Sequence, residues 1–280
     1  MLQPIVIRGG GDLASGIIVR LNRAGYATIV LESKQPTTIR RKVAFSEAVF
    51  EKVASVEGMT GILVRSLEEA LDKVVSGKPV ILVDENCECL EHYHPDILID
   101  AIIAKKNLGT NLTMASLTIA LGPGFAAGVD VDYVVETQRG HDLGRIIEEG
   151  YAAKNTGVPG IIGGYGIERV IHAPVAGLFK SCAKIGDYVT EGQIIGTITD
   201  EKSGKETDVP ASISGILRGI IRDDMFLFKG LKMADIDPRK EEQKNCFTIS
   251  DKARCLAGSV LELVVAYEHR HEQKKKQMSK

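Results

Sequence analysis

Gly9, Gly11 and Ala14 complete a G-x-G-x-x-A pattern. The first glycine permits a tight turn, the second lets backbone amides approach a ligand, and Ala14 lets a helix lie close to a strand. Gly10 shares that turn. Glu32 follows Gly11 by twenty-one residues, where an acid could accept hydrogen bonds from a ribose diol. Asp12 opposes a phosphate at this place, because its carboxylate could cap the free N–H groups and repel an anion. A second group comprises Lys105, Lys106 and Asn107, then Gly122-Pro123-Gly124, Arg139-Gly140-His141, and the run from Asn155 to Gly160. Exposed amides beside Lys and Arg suit a small phosphate-bearing ligand. The alternative for each segment is a turn built from turn-forming residues. Arg139 is the residue expected to neutralise ligand charge, and His141 is the candidate for proton transfer. A lone histidine beside Arg and Asp is more often a structural hydrogen-bonder. No Ser-His-Asp or paired-carboxylate set can be assembled from the sequence, so catalysis is left open.

Cys87, Cys89, His92 and His94 place two thiols and two imidazoles within eight residues, a donor set suited to zinc. The C-x-C spacing crowds neighbouring ligands, whereas structural zinc sites use two to four intervening residues, so no metal is expected. Lys202 lies nine residues after Gln193, about where biotinylated and lipoylated domains carry a modified lysine. Its neighbours Glu201 and Ser203 are not the methionines that flank a biotinylated lysine.

The elements that must position these residues follow from hydrophobic pattern. Ile5-Val6-Ile7 is a short apolar run ahead of the glycines, and Leu13, Ile17 and Leu21 then share one helical face. Gly25 ends that helix, and Ala27 to Leu31 reads as a second buried strand, so the segment is a β-α-β unit. Further apolar runs at 62–64, 80–83, 117–121 and 133–135 lack period-two alternation, as strands buried on both faces do. Ser66-Leu67-Glu68-Glu69 is a capping box for a helix to Val75. From Ile167 the chain turns to short strands and glycine turns, and repeats at a spacing of 38: Ala173 with Ala211, Gly177 with Gly215, Gly192 with Gly230. This part resembles the biotinyl/lipoyl-like barrel-sandwich fold through Ala173-Pro174-Val175-Ala176-Gly177 and Gly186-Asp187 to Gly192-Gln193.

The expected fold is therefore α/β: a Rossmann-like doubly wound parallel sheet, then a small all-β barrel-sandwich module and a C-terminal helix. The expected boundaries are 1–165 for the Rossmann-like domain, 167–240 for the β domain, 245–268 for the helix, and 269–280 for a flexible basic tail. With 35 basic against 37 acidic residues the net charge is −2, which provides no field for nucleic acid. Glycine is frequent, 29 of 280 residues, against roughly 7% in proteins generally. Five scattered cysteines fit a reducing compartment, and neither a signal peptide nor a membrane span is apparent, so a cytoplasmic protein without membrane partners is expected.

Taken together, several motifs resemble the selenium-dependent molybdenum hydroxylase system proteins of the YqeB type. They are Ile7 to Gly16, Ile39 to Phe45, Asp100 through Thr110, Leu121 to Phe125, Glu136 to His141, Asn155 to Gly160, Leu217-Arg218-Gly219 and Asp235 to Arg239. The resemblance implies an accessory or maturation factor serving a molybdenum hydroxylase or its cofactor machinery. Its glycine-loop crevice would hold a molybdopterin-type cofactor or nucleotide. Gly9, Gly10, Gly11, Asp12 and Glu32 would shape one side, and Lys106, Asn107, Gly124, Arg139 and His141 the other. An NAD(P)-dependent oxidoreductase and a biotinyl- or lipoyl-type carrier are the alternatives, and assembly into a homo-oligomer is left open.

Overall fold

The computed structural model describes residues 2–278. The chain divides into two compact units. Among the described residues the first comprises 2–36, 44–155 and 249–278, and the second 37–43 and 156–248.

In the first unit, β1 (Ile5–Arg8), α1 (Asp12–Arg23) and β2 (Thr28–Glu32) form a β-α-β crossover. The chain continues through α2 (Ala48–Glu51), β3 (Val53–Val56), β4 (Met59–Val64), α3 (Leu67–Lys73), β5 (Val80–Val83), β6 (Ile97–Asp100) and β7 (Leu117–Leu121). It then forms β8 (Ala126–Ala127), β9 (Tyr133–Val135), β10 (Ile146–Ile147) and β11 (Gly150–Tyr151). Nine of these strands make one sheet in the order β10-β9-β7-β6-β1-β2-β5-β4-β3. The interior pairings are parallel, while β3 on β4 and β10 on β9 are antiparallel.

This corrects the expectation of a doubly wound parallel sheet. The sheet is mixed, and α-helix lies between β1 and β2, between β2 and β3 (the four-residue α2) and between β4 and β5, but not between β5 and β6, β6 and β7 or β7 and β9. The β5–β6 and β6–β7 connections contain single short 3₁₀ turns, at Glu88–Glu91 and Leu112–Met114. Their sequences, rich in Asn, Asp, Gly and His, lack the apolar face with which a helix packs on a sheet.

The last helix, α4 (Asp251–Met278), belongs to this unit and lies along α1. A β-carbon on Gly16 would come within 2.8 Å of the Ala253 β-carbon, so glycine sets the approach of the two helices. With the sheet on one side and α4 on the other, α1 buries Ile17, Ile18, Val19 and Leu21 together. The helix starts six residues later than expected and stays helical through the segment expected to be a flexible tail, as far as Met278. Ser279 and Lys280 lie outside the described residues.

The second unit contains β12 (Val170–His172), β13 (Gly177–Ser181), β14 (Tyr188–Val189), β15 (Ile194–Thr199), β16 (Glu206–Pro210), β17 (Gly215–Ile220), β18 (Phe226–Leu227) and β19 (Lys232–Asp237). They form two antiparallel ladders, β12-β19-β17-β14 and β16-β15-β13-β18. The 38-residue repeat maps β13 onto β17, β14 onto β18 and β15 onto β19. Each repeat lends its short strand to the other ladder: β14 pairs with β17, and β18 with β13. The barrel-sandwich expectation is corrected by this arrangement. Two four-stranded sheets form, and the upstream segment 37–43 packs against β17 of one of them, with the Ile220 N–H donating to the Ile39 carbonyl at 3.0 Å. A repeat confined to residues after 167 could not reveal a piece contributed from so far upstream.

Candidate functional site

Strand register sets Arg8, the last residue of β1, opposite Asp100, the last residue of β6. Both side chains are buried, with Arg8 Nη1 3.5 Å from Asp100 Oδ2. The Thr110 hydroxyl donates to Asp100 Oδ2 at 2.6 Å and accepts from Arg8 Nη1. Arg8 Nη2 donates to the carbonyls of Glu85, at 3.1 Å, and Leu108, at 3.3 Å. A buried ion pair repays its desolvation only when its remaining donors and acceptors are met, as they are here. Burial pushes the Asp100 carboxyl above its ordinary value, against the pull of the Thr110 hydroxyl and Arg8. The group binds the ends of β1 and β6 to the loop between Ala101 and Thr110. Its sequence signal is a charge closing an apolar run on each of two strands, Ile-Val-Ile-Arg and Ile-Leu-Ile-Asp, and the reading of the sequence passed over it.

That loop holds an unusual backbone. Ile103 at φ 59° and Lys105 at φ 65° are left-handed non-glycine residues, and for a β-branched side chain this is a strained conformation. Asn107 fixes the far side, its Oδ1 accepting from the Gly109 and Thr110 N–H groups at 2.8 Å each. Gly124 (φ +113°) lies flush on the loop, where a β-carbon would fall 2.6 Å from Lys106 Cα. Gly9 (φ +91°) abuts the other end, its β-carbon position 3.1 Å from Ile102 Cα. The expected Gly9, Lys106, Asn107 and Gly124 are therefore brought together, with the Lys105 and Lys106 side chains exposed.

Other expected residues turn elsewhere. The Glu32 carboxylate folds back onto the glycine turn, accepting the Gly10 N–H at 2.7 Å and the Ser33 N–H at 2.7 Å. Burial raises its proton affinity, and those two amides oppose the rise. The Gly10 carbonyl accepts from the Ser46 N–H and the Ser15 hydroxyl. The Gly10 amide that a pyrophosphate would use is thus already occupied by an internal acid. Gly11 is the N-cap residue of α1 and makes no side-chain cap, and Asp12 stands in the helix's first turn. Arg139 forms a two-pronged pair with Asp251 at the start of α4, at 2.9 and 3.0 Å, and this pairing joins two elements of the unit. His141 is exposed. The reading of the sequence also missed Glu136, whose buried carboxylate accepts the Gln138 and Ala153 N–H groups at 2.6 and 2.7 Å.

The Cys/His set does not converge. Among the described residues no group of three or more His, Cys, Asp or Glu is arranged to hold a metal ion. Cys87 is buried, and burial pushes its thiol up to about 11. The Cys89 thiol is pushed up still further, by burial and by its hydrogen bond to Asp84. His94 Nε2 lies 3.2 Å from the Thr113 carbonyl, and His92 is exposed. Lys202 sits in the exposed turn between β15 and β16, where Asp200 Oδ1 accepts its backbone N–H at 3.2 Å.

Fold and site define a two-unit chain, α/β in one part and antiparallel β in the other, whose buried polar clamp lies at the carboxyl edge of the parallel strands. Over 267 residues the sequence is 46% identical to YqeB of Escherichia coli (strain K12), a protein described as uncharacterized. The match covers 95% of this chain and 48% of that protein, so the chain spans about half the length of the curated relative it matches. No protein-family model matches the sequence. Similar solved structures include an aspartoacylase family protein from Mesorhizobium loti, at 10% identity, with 85% of this chain and 86% of that one covered and a TM-score of 0.28. Another is the ectoine utilization protein EutE from Ruegeria pomeroyi, at 12% identity, 84% and 85% covered, with a TM-score of 0.29.

These findings correct the functional expectation. The relative carries a description without any activity, and the solved structures are described as aspartoacylase and ectoine-utilization proteins, not as molybdenum hydroxylase accessory factors. The molybdenum and selenium reading is withdrawn with it. The nucleotide-site and oxidoreductase readings fall with the glycine turn, whose Gly10 amide Glu32 occupies. The carrier reading loses its barrel-sandwich scaffold. At TM-scores of 0.28 and 0.29 the solved structures assign this chain neither their fold nor their chemistry. Among the described residues no helix is long and apolar enough to cross a membrane.

Proposed function

We propose that the first unit is a binding module for a small anionic molecule. The observation that supports this is the strained loop 101–110. Ile103 and Lys105 are left-handed, each at a cost of about 1–3 kcal/mol, and the buried Arg8–Asp100–Thr110 clamp holds the two ends of the loop that contains them. Strain kept in place by a buried polar clamp is the form that preorganised ligand loops take, because the ordering cost is met before the ligand arrives. Lys105 and Lys106 give the loop its positive charge, and the close turns at Gly9 and Gly124 leave main chain rather than side chain beside it. The five free thiols support a reducing, cytoplasmic setting.

Calorimetric titration of the full chain with inorganic phosphate and with malonate tests the reading. At least one anion is expected to saturate, and a Lys105→Ala/Lys106→Ala double variant should weaken it about tenfold or more. Affinity unchanged in that variant, or no saturable binding of either anion, overturns it.

A further inference from the structure

The 38-residue repeat of the second unit makes Phe226 and Leu227 of β18 the counterparts of Tyr188 and Val189 of β14. Each of these short strands stands at the end of its ladder, β14 beside β17 and β18 beside β13. Such an edge offers main-chain N–H and C=O groups to any passing strand, and proteins guard it with charge, proline or a covering segment. β14 is covered. Gln243 Nε2 donates to the Gly186 carbonyl at 2.7 Å, a β-carbon on Gly186 would stand 3.1 Å from Phe247 Cζ, and Lys240 Nζ lies 4.2 Å from the centre of the Tyr188 ring. β16, at the other end of the β18 ladder, is guarded by exposed Glu206, Asp208 and Pro210.

β18 carries aromatic rings instead. Phe226 is 39% and Phe228 69% exposed, and their rings meet edge to face with centroids 5.4 Å apart. Leu178, 37% exposed, is the cross-strand partner of Phe226, so the three side chains form one patch. The Phe179 N–H donates to the Met225 carbonyl at 3.0 Å, and Leu227 pairs with Gly177. Antiparallel alternation therefore turns the N–H and C=O of Phe226 toward the open edge. The Phe228 carbonyl is held by the Leu231 N–H at 3.0 Å, which leaves Phe226 as the centre of any new pairing.

Charge identifies the occupant. Asp224 and Lys229, both exposed, close the two ends of this apolar run. A two-fold axis beside Phe226 sets two copies of the strand antiparallel, so the Asp224 end of each meets the Lys229 end of the other. The run Asp224-Met225-Phe226-Leu227-Phe228-Lys229 is thus complementary to itself. We propose that β18 is a self-association edge, through which two copies of the chain pair antiparallel with their Phe226 rings side by side. The patch is small beside the roughly 1,600 Å² of a standard interface, so a dissociation constant on the order of 10–100 µM is expected. This edge is independent of the anion binding proposed for loop 101–110.

Sedimentation velocity of the full chain over about a hundredfold range of concentration is the test. The wild-type chain is expected to pass from monomer to dimer, and added salt to weaken the dimer. Phe228→Glu, at an exposed position, should keep the wild-type circular dichroism and weaken the dimer about tenfold or more. Lys229→Glu and Asp224→Lys should each be monomeric alone, because each brings like charges together, and should dimerise when mixed in equal amounts. Asp224 is left-handed at φ 61°, a conformation that Lys52 and Lys105 also adopt in this chain, so lysine is accommodated there. The Lys105→Ala/Lys106→Ala protein should dimerise as wild type does. A wild-type chain that stays monomeric throughout, a Phe228→Glu or single charge variant that dimerises undiminished, or a charge-variant mixture that stays monomeric overturns the proposal.

Discussion

Asp100, buried, and Glu32, half-buried, are two acids at the same sheet edge, held by different partners. Asp100 faces a buried guanidinium, so removing it leaves Arg8 charged and uncompensated among apolar strands. Asp100→Ala should therefore lower unfolding free energy by about 3–5 kcal/mol in urea titration, and a loss under 1 kcal/mol would mean that the clamp is dispensable. Glu32 faces the Gly10 and Ser33 amides and the Ser33 hydroxyl rather than a cation, and burial raises its proton affinity. The native state then holds that proton more tightly than the unfolded chain does, so the contribution of Glu32 is full below the ordinary value of 4.5 and is lost as pH rises through the folded value. Glu32→Gln removes this titration. The stability difference between wild type and variant should be greatest at acid pH and shrink as pH rises. A difference that grows with pH would show that the Gly10 and Ser33 amides outweigh burial.

Among the elements, α1 is the one whose sequence carries two demands. Its apolar residues exceed a single stripe because the sheet and α4 flank it, and Gly16 exists where α4 comes closest. Gly16→Val places methyl groups where Ala253 already stands. Overpacking of this kind costs about 1–3 kcal/mol, and the loss should appear both in thermal unfolding and as faster amide exchange along α4. Wild-type exchange in such a variant would show that the helices do not depend on this contact. The loops show the converse demand. Residues 84–96 and 101–116 have polar turn formers where a doubly wound fold would place helices, and they become the clamped edge. A helix could not have placed Ile103 and Lys105 left-handed beside Gly124.

For the whole molecule, the division into units predicts where the chain is most easily cut. Residues 154–167 join the first unit to the second through glycine turns and exposed side chains. Brief digestion should nick Lys154 with trypsin and Tyr165 with chymotrypsin before other sites, as read by intact mass. First cuts within 84–111 would contradict the clamp that ties that region down. The amino-acid sequence by itself determined the elements whose signals are local. Apolar runs marked β1, β2, β5, β7 and β9, the Ser66 capping box marked α3, and the spacing of 38 marked the paired strands of the second unit. Only the tertiary structure decided which polar groups meet. Arg8 and Asp100 are ninety-two residues apart and become partners through strand register, while Glu32, read as a ligand contact, meets Gly10 because β2 and the first turn end side by side. Local pattern reports which face of an element is apolar; the partner of a buried charge depends on where distant strands stop, and no window of sequence carries that distance.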